Sequence, residues 1–254
     1  MMALVLAICA LFGAAFGSFG YALGSRFLKF KRLNRAILLS QSRCDNCRKN
    51  LNLAELVPIF SYLILRTKCR KCKAKIAFNC FLFEILGAIF ATFCFLNLIK
   101  SHAPNVAIFM LIMLLAISAL LLALSLIDAK LLAVPSGLLY VCVGLLAIFG
   151  AIWRGVCESI ISGLVVVALF FIISFVLSVI KKRAVSGSAD SWLIFGIAAA
   201  LGEFGAIVAV YIAALLGLVF IIAFKSTKIA FIPFLSIGFC LSLLFGEVIK
   251  SAFF

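Results

Sequence analysis

The sequence has few charged residues, and acidic ones are the rarest of these. Of 254 residues, 12% are charged and 67% are hydrophobic, with 8 Asp and Glu against 23 Lys and Arg. Water-soluble globular domains carry about 25% charged residues, so this composition excludes an ordinary soluble enzyme. A membrane span needs about 20 apolar residues, and the apolar content is enough for several spans. The composition therefore predicts an integral membrane protein.

Histidine and several familiar catalytic motifs are also missing or nearly so. His102 is the single histidine, which excludes an HExxH metal helix and argues against a Ser-His-Asp triad. The sequence contains no P-loop, no GxGxxG fingerprint and no nucleophile elbow. These absences leave the cysteines and the few acids as the candidates for chemistry.

The apolar stretches predict eight membrane spans. The first basic residue is Arg26, so the first stretch lacks the preceding positive charge of a signal peptide and is expected to be a retained span with its amino terminus outside. The stretches cover residues 3–24, 76–99, 106–127, 136–152, 159–180, 191–202, 205–224 and 229–248, of which the sixth is short. We expect an all-α polytopic membrane protein with a first span (1–25), a cytoplasmic loop (26–77) and a seven-span membrane domain (78–254).

Basic residues are concentrated on one side of the predicted membrane. If the 26–77 loop is cytoplasmic, 20 of the 23 Lys and Arg residues lie inside, and Lys100, Arg154 and Lys250 lie outside. An excess of Lys and Arg in short loops fixes the orientation of a membrane protein. Orientation therefore accounts for the charge without a nucleic-acid partner, and anionic membrane lipids are the expected partners of the loop.

The predicted loop contains two CxxC pairs. Cys44 and Cys47 are followed, after 21 intervening residues, by Cys69 and Cys72, which is the spacing of a four-thiolate zinc ribbon. A reducing cytosol disfavours disulfides, and bound zinc would supply folding energy that a small loop lacks. An unmetallated or redox-active pair of motifs is the alternative. A closed four-cysteine site is structural, and the other six cysteines are expected to be small hydrophobic residues without a role.

Two of the three aspartates, Asp128 and Asp190, lie at the cytoplasmic ends of predicted spans. Ionisable groups at membrane depth are costly and usually face the interior of the helix bundle. Two close carboxylates that share a proton can activate water and protonate a leaving group, as in aspartic proteases. Gly187 would let a peptide backbone approach Asp190. The alternative is that both aspartates are helix caps, and spacing alone leaves both interpretations open.

Taken in order, these motifs resemble those of the prepilin peptidases, membrane aspartic peptidases that process type IV pilin-like precursors. The resemblance covers nearly the whole chain and rests on Gly17-Ser18-Phe19 with Arg26, the two CxxC pairs with Pro58 to Arg66 between them, Glu84, Leu126-Ile127-Asp128 with Pro135, Gly187 to Asp190, and Ile232-Pro233-Phe234. The chain departs from the family pattern at Tyr21, Ser136, Ala189 and Trp192.

The resemblance implies that Asp128 and Asp190 are catalytic and that Gly187 and Pro135 support their motifs. It implies cleavage of prepilin or pseudopilin precursors after a glycine in the bacterial inner membrane, with roles in type IV pili, protein secretion or competence. Many family members also methylate the new amino terminus with S-adenosylmethionine. Glu84 is a candidate for that step, but we expect it to pair with a basic residue of the loop, because buried carboxylates are usually partnered.

Two other classes of protein fit parts of the sequence. A proton-coupled transporter would use Asp128, Asp190 and Glu84 as a relay, and it predicts acids near mid-span and broken helices at matching positions in two halves. The aspartates instead lie at span ends and no repeat is visible, which counts against a transporter. A membrane assembly protein would use the zinc loop to bind a cytoplasmic partner and would not need the two aspartates.

Overall fold

The computed structural model describes residues 2–30, 41–44, 46–52, 55–65, 67–182, 187–225 and 229–253. Apart from two isolated β-bridges, the secondary structure of these residues is helical, which confirms the predicted all-α class. The helices are α1 (Met2–Phe30), α2 (Phe60–Ile64), α3 (Phe78–Ser101), α4 (Pro104–Leu131), α5 (Ser136–Arg154), α6 (Val156–Lys181), α7 (Ser188–Phe224) and α8 (Ile232–Phe253).

The long helices are those of a polytopic membrane protein. Within the described ranges, six helices (α1 and α3 to α7) are long and apolar enough to cross a membrane. The last helix contributes a shorter apolar segment, Ile232–Gly246. The chain divides into two compact units, Met1–Ala123 and Leu124–Phe254, so the boundary falls inside α4. The predicted division at residues 25 and 77 stays a prediction.

In the first unit, glycines let the backbones of α1 and α3 approach closely. A Cβ atom at Gly13 would collide with the backbone of Gly87, and one at Gly17 would collide with the backbone of Phe83. Gly13 and Gly17 are four residues apart and therefore share one face of α1. Small residues at this spacing are typical of closely packed membrane helices. The glycine of the Gly17-Ser18-Phe19 motif is thus a packing residue.

In the second unit, the two ends of α7 lie close together. Near its start, the carboxylate of Asp190 interacts with the charge of Asp128, and Asp128 accepts a hydrogen bond from the Ile232 backbone N–H. Near its end, the ring of Phe220 packs against that of Phe234 on the first turn of α8, with centroids 5.6 Å apart. In a straight helix, residues 190 and 220 would be about 45 Å apart. The helix therefore folds back on itself.

The reversal occurs at Gly202, whose φ of 81° and ψ of 177° are not helical. Glycine adopts a positive φ at little cost. The two arms, 188–201 and 203–224, correspond to the sixth and seventh predicted spans, but one residue separates them in place of a loop. With the arms taken separately, the described part of the chain has eight apolar helical segments at the predicted positions.

Polar side chains meet at this reversal. The last residue of α5, Arg154, donates from Nη1 to Ser162 Oγ on α6 at 3.2 Å. The Ser162 hydroxyl in turn donates to Glu203 Oε1, one residue beyond the reversal, at 3.1 Å. A Cβ atom at Gly202 would lie 2.7 Å from Cζ of Arg154. Gly202 is therefore required both by its backbone conformation and by the space that the guanidinium occupies.

Candidate functional site

The two candidate catalytic aspartates lie together in the second unit, each at a helix end. Asp128 is three residues before the end of α4 and is 8% exposed, and its Oδ2 accepts the backbone N–H of Ile232 at 3.2 Å. Asp190 is the third residue of α7, and its Oδ2 accepts the backbone N–H of Gly187 at 3.2 Å. The carboxylates are close enough for their charges to interact. The structure therefore brings the Asp128, Asp190 and Ile232 motifs together.

Each carboxylate of the pair is held by a backbone amide. Each carboxylate accepts one backbone N–H through Oδ2, and a carboxylate has two oxygens with about four lone-pair sites. Among the residues that the structure describes, no protein donor reaches the other oxygen of either group, which leaves it accessible to water or substrate. Two carboxylates close together in a low-dielectric environment hold one proton between them more readily than both ionise.

The two motif-supporting residues flank this pair in the sequence. Gly187 is the N-cap of α7 with a φ of −83°, so its backbone conformation does not require glycine. A Cβ atom at Gly187 would lie 3.4 Å from Asp190 Oδ2, an ordinary contact at the edge of the carboxylate. Pro135 is the N-cap of α5, with a φ of −69°, and its ring fixes the direction in which the chain leaves the Asp128 segment. Their supporting roles stay predictions.

The four loop cysteines form a compact cluster in the first unit. All four Sγ atoms lie within 4.8 Å of one another. The Sγ atoms of Cys44 and Cys72 are 3.7 Å apart, and those of Cys47 and Cys69 are 3.9 Å apart. A tetrahedral zinc with Zn–S bonds of about 2.3 Å places its sulfurs about 3.8 Å apart. The cluster can hold a metal ion, and its size fits zinc.

Both CxxC pairs lie in the same kind of backbone turn. In the first turn, the Cys44 N–H donates to the Lys49 carbonyl at 3.0 Å and the Arg48 N–H donates to the Cys44 carbonyl at 2.9 Å. The second turn repeats these bonds at 2.8 and 3.0 Å with Cys69, Ala74 and Lys73. The residue after each second cysteine, Arg48 or Lys73, has a positive φ. Two matching turns therefore present the four sulfurs to one point.

Backbone amides and neighbouring thiols shift the pKa values of Cys72 and Cys47 in opposite directions. The Ala74 amide lowers the pKa of Cys72 to about 6. The Lys49 amide acts in the same direction on Cys47, but burial and three neighbouring thiols outweigh it and raise the pKa of Cys47 to about 11. Because a metal ion binds cysteines as thiolates, metal binding at this cluster would release protons.

Glu55 connects the two turns electrostatically, although no sequence motif points to it. Its Oε2 accepts the Asn52 backbone N–H at 3.0 Å, and its Oε1 lies 3.3 Å from Lys49 Nζ. The Asn52 hydrogen bond, the Lys49 ammonium and the charge of Arg70 on the second turn lower the pKa of Glu55. An acidic residue in a strongly basic loop is the sequence feature that could have indicated this role.

Glu84 is buried on α3, and its partners differ from the basic residue that we expected. Its Oε2 accepts the Ile59 backbone N–H at 2.7 Å, and its Oε1 accepts the Cys80 thiol at 3.5 Å. Ile59 has a φ of 64°, a left-handed conformation that is strained for a β-branched residue. Ser18 of the opening motif lies 3.6 Å from the Cys80 sulfur. Cys80, to which no role was assigned, therefore joins α1 to Glu84.

A cavity of about 220 Å³ opens beside this chain of contacts. Helix α1 contributes Ser18, Phe19 and Arg26 to its wall, and the loop contributes Ser42, Leu56 and Pro58. The wall thus combines apolar side chains with two hydroxyls and a guanidinium. Residues of the opening motif and of the cysteine loop meet here.

Comparisons with known proteins match the amino-terminal part of the chain most strongly. Residues 11–98 match the family described as the bacterial peptidase A24 N-terminal domain. A 74-residue stretch is 39% identical to the prepilin leader peptidase/N-methyltransferase of Bacillus subtilis, and covers 29% of this chain and 28% of that protein. No solved structure shows significant similarity.

Two further relatives match over most of the chain. The type 4 prepilin-like proteins leader peptide-processing enzyme of Escherichia coli is 26% identical over 80% of this chain and 75% of its own length. The prepilin leader peptidase/N-methyltransferase of Dichelobacter nodosus is 26% identical over 85% of this chain and 75% of its own length.

The fold and the sites define a polytopic helical membrane protein with a four-cysteine cluster and a pair of neighbouring aspartates. The matches to the three relatives and to the A24 N-terminal domain confirm that the chain resembles the prepilin peptidases.

Proposed function

We propose that this protein is a membrane aspartic endopeptidase that removes the basic leader from prepilin-like precursors after a glycine. The observation that carries the proposal is the meeting of Asp128, Asp190 and the start of α8, three motifs far apart in sequence. The names of relatives that match 80% and 85% of the chain support the same substrate class.

In the proposed reaction, Asp128 and Asp190 share one proton. One carboxylate removes a proton from a water molecule that attacks the scissile carbonyl, and the other acid donates its proton to the peptide oxygen or the leaving amine. The backbone N–H groups of Ile232 and Gly187 hold one oxygen of each carboxylate. The two acids therefore titrate as a pair, and the roles of base and acid belong to the pair.

The substrate would dock in the membrane as a helix. Its apolar segment would pack against the spans through small residues and van der Waals contacts, as membrane helices do. The basic leader would then lie at the cytoplasmic surface, the side on which we place the cysteine loop and both aspartates, with the amino terminus outside. Anionic lipid headgroups would attract both the leader and the basic loop, by about 1 kcal/mol per basic residue near the surface. In a bacterium this is the inner membrane.

We assign the four-cysteine cluster to structural zinc. The sulfur spacing of 3.7 and 3.9 Å fits a tetrahedral Zn–S₄ centre. Four protein ligands close the coordination sphere, so the metal stabilises the loop and takes no part in cleavage.

We extend the proposal to N-methylation of the new amino terminus. It is supported by the printed names of two relatives, which include N-methyltransferase, and by the cavity beside the cysteine loop. The hydroxyls of Ser18 and Ser42 and the guanidinium of Arg26 line that cavity. They are suited to the carboxylate and amino groups of S-adenosylmethionine, which would supply the methyl group.

The test is the processing of a candidate prepilin by the purified protein in lipid vesicles. We expect a product that begins directly after the glycine of the leader junction, and methylation would add the mass of one methyl group only when S-adenosylmethionine is present. Asp128→Asn and Asp190→Asn should abolish cleavage, whereas Glu158→Gln, at an acid that is 68% exposed, should cleave like wild type. Cleavage by folded Asp128→Asn would overturn the aspartic mechanism, whereas no cleavage by folded wild type would favour the assembly or transport classes.

A further inference from the structure

Two serines meet next to Asp128 in the second unit. Ser125 precedes Asp128 by three residues on α4, and Ser236 follows Ile232 by four residues on α8. Residues three or four apart lie on one face of a helix. The two Oγ atoms are 2.9 Å apart, and Ser236 Oγ also donates to the Ile232 carbonyl at 2.8 Å. The serine pair therefore lies one helical turn from the Asp128–Ile232 hydrogen bond.

Hydroxyl protons set the direction of these bonds. A serine hydroxyl has one proton and two lone pairs. Because Ser236 gives its proton to the Ile232 carbonyl, Ser125 must be the donor in the bond between the two serines. The pair thus forms a directed chain from α4 to the first turn of α8, and the same turn supplies the N–H that reaches Asp128.

Asp128 needs a donor from another helix because of its place on α4. It lies three residues before the end of that helix, where the helix dipole is unfavourable to a negative charge. The amino terminus of α8 has the opposite polarity, and its first N–H groups have no partner within the helix. A bond of 3.2 Å between Ile232 N and Asp128 Oδ2 persists only while α8 keeps its register against α4.

We propose that Ser125 and Ser236 are positioning residues for Asp128. They hold the first turn of α8 so that the Ile232 N–H stays on one oxygen of the Asp128 carboxylate, which directs the other oxygen toward Asp190 and the reacting water. This inference rests on the proposed peptidase function.

The experiment compares steady-state cleavage of one prepilin by Ser125→Ala, Ser236→Ala and the double variant in lipid vesicles. Each single variant should lower kcat by roughly ten- to a hundred-fold with KM within about twofold of wild type, because misplacing a reacting group by about 1 Å has effects of this size. The double variant should be no slower than the slower single variant, because the two hydroxyls act as one unit. Ser236→Thr keeps the hydroxyl and should restore most of the rate.

The matched control is Ser242→Ala, which removes another tertiary serine bond of α8, the 2.7 Å bond from Ser242 Oγ to the Gly205 carbonyl. Its kcat should equal that of wild type. Three results would each overturn the positioning role. They are a kcat of the single variants within twofold of wild type, losses of kcat that multiply in the double variant, and an equal loss of kcat in Ser242→Ala. If Asp128→Asn retains activity, the proposed function itself fails; if Asp128→Asn is inactive and the serine variants are fully active, only this inference fails.

Discussion

At the scale of single residues, several acids of this chain accept hydrogen bonds from the backbone. Glu84, Asp128 and Asp190 each accept one backbone N–H. In the first unit, Glu84 holds the N–H of Ile59 in a left-handed turn of the cysteine loop. A buried N–H that loses its acceptor costs about 1–3 kcal/mol.

Glu84→Ala should therefore loosen the turn at Ile59. We expect faster hydrogen exchange and faster limited proteolysis within residues 55–65, by roughly five- to a hundred-fold if the local cost is about 1–3 kcal/mol. Glu84→Gln keeps a side-chain oxygen as acceptor and should stay near wild type. Equal protection of this segment in both variants and in wild type would show that Glu84 does not hold the loop.

Site residues of a rare type could be predicted from the sequence, whereas site residues of a common type could not. Acids and CxxC pairs are conspicuous in a chain that is 67% hydrophobic. Serines in apolar helices are ordinary, because most bond a carbonyl of their own helix, as Ser118 and Ser178 do. Nothing in the sequence distinguishes Ser125 and Ser236 from these, since only the fold brings α4 and α8 together.

At the scale of elements, the most informative feature is the reversal of α7. The pattern of apolar residues predicts a break between 202 and 205, because Gly202 and Glu203 interrupt two apolar runs. It does not predict that the break is one residue wide, since a positive φ and the packing of Arg154 against the glycine appear only in the folded chain.

Gly202→Ala should destabilise the second unit. The substitution forces a side chain into a positive φ and into contact with the Arg154 guanidinium at 2.7 to 2.8 Å, with a cost of about 1–3 kcal/mol. We expect the apparent Tm in detergent to fall by about 3–10 °C. The control Gly144→Ala, on α5 with open space around its Cβ position, should match or slightly exceed wild type. Equal Tm values for the two variants would contradict the role of Gly202.

The cysteine loop is a second element with a direct test. Purified protein should contain about one zinc per chain, and Cys72→Ser should lose it, because a structural zinc site needs all four ligands. Loss of metal should expose the loop to protease while the helical content of the membrane segments stays the same. Cys157→Ser, at an exposed cysteine outside the cluster, should keep the metal. Full zinc content in Cys72→Ser would rule out this ligand set.

At the scale of the whole molecule, the distribution of charge sets the expected orientation. The all-α class and the positions of the apolar helices follow from hydropathy, because a helix that crosses lipid must satisfy its backbone internally. Orientation follows from the placement of 20 of 23 basic residues on one side of the predicted spans. Neither the hydropathy pattern nor the charge pattern predicts which helices pack together, since different apolar side chains have similar hydropathy.

The native cysteine Cys157 allows a test of this orientation. It is exposed and lies next to Glu158 at the start of α6, and we expect this end of the helix on the outer side of the membrane. A membrane-impermeant maleimide should label it in intact cells, and Cys157→Ser should lose that signal. The loop cysteines should react only after permeabilisation and removal of zinc. Labelling of Cys157 only in permeabilised cells would show that the orientation is the reverse of the expected one.

In the proposed reaction, Asp128 and Asp190 act as one catalytic unit. The most direct measurement is the single-turnover cleavage rate of one prepilin by Asp128→Asn, Asp190→Asn and the double variant, with each protein shown to be folded and to contain zinc. All three variants should fall to the same residual rate, because a proton shared by two groups is lost when either is replaced. A single variant that still cleaves at a rate near wild type, or losses that multiply in the double variant, would contradict this expectation.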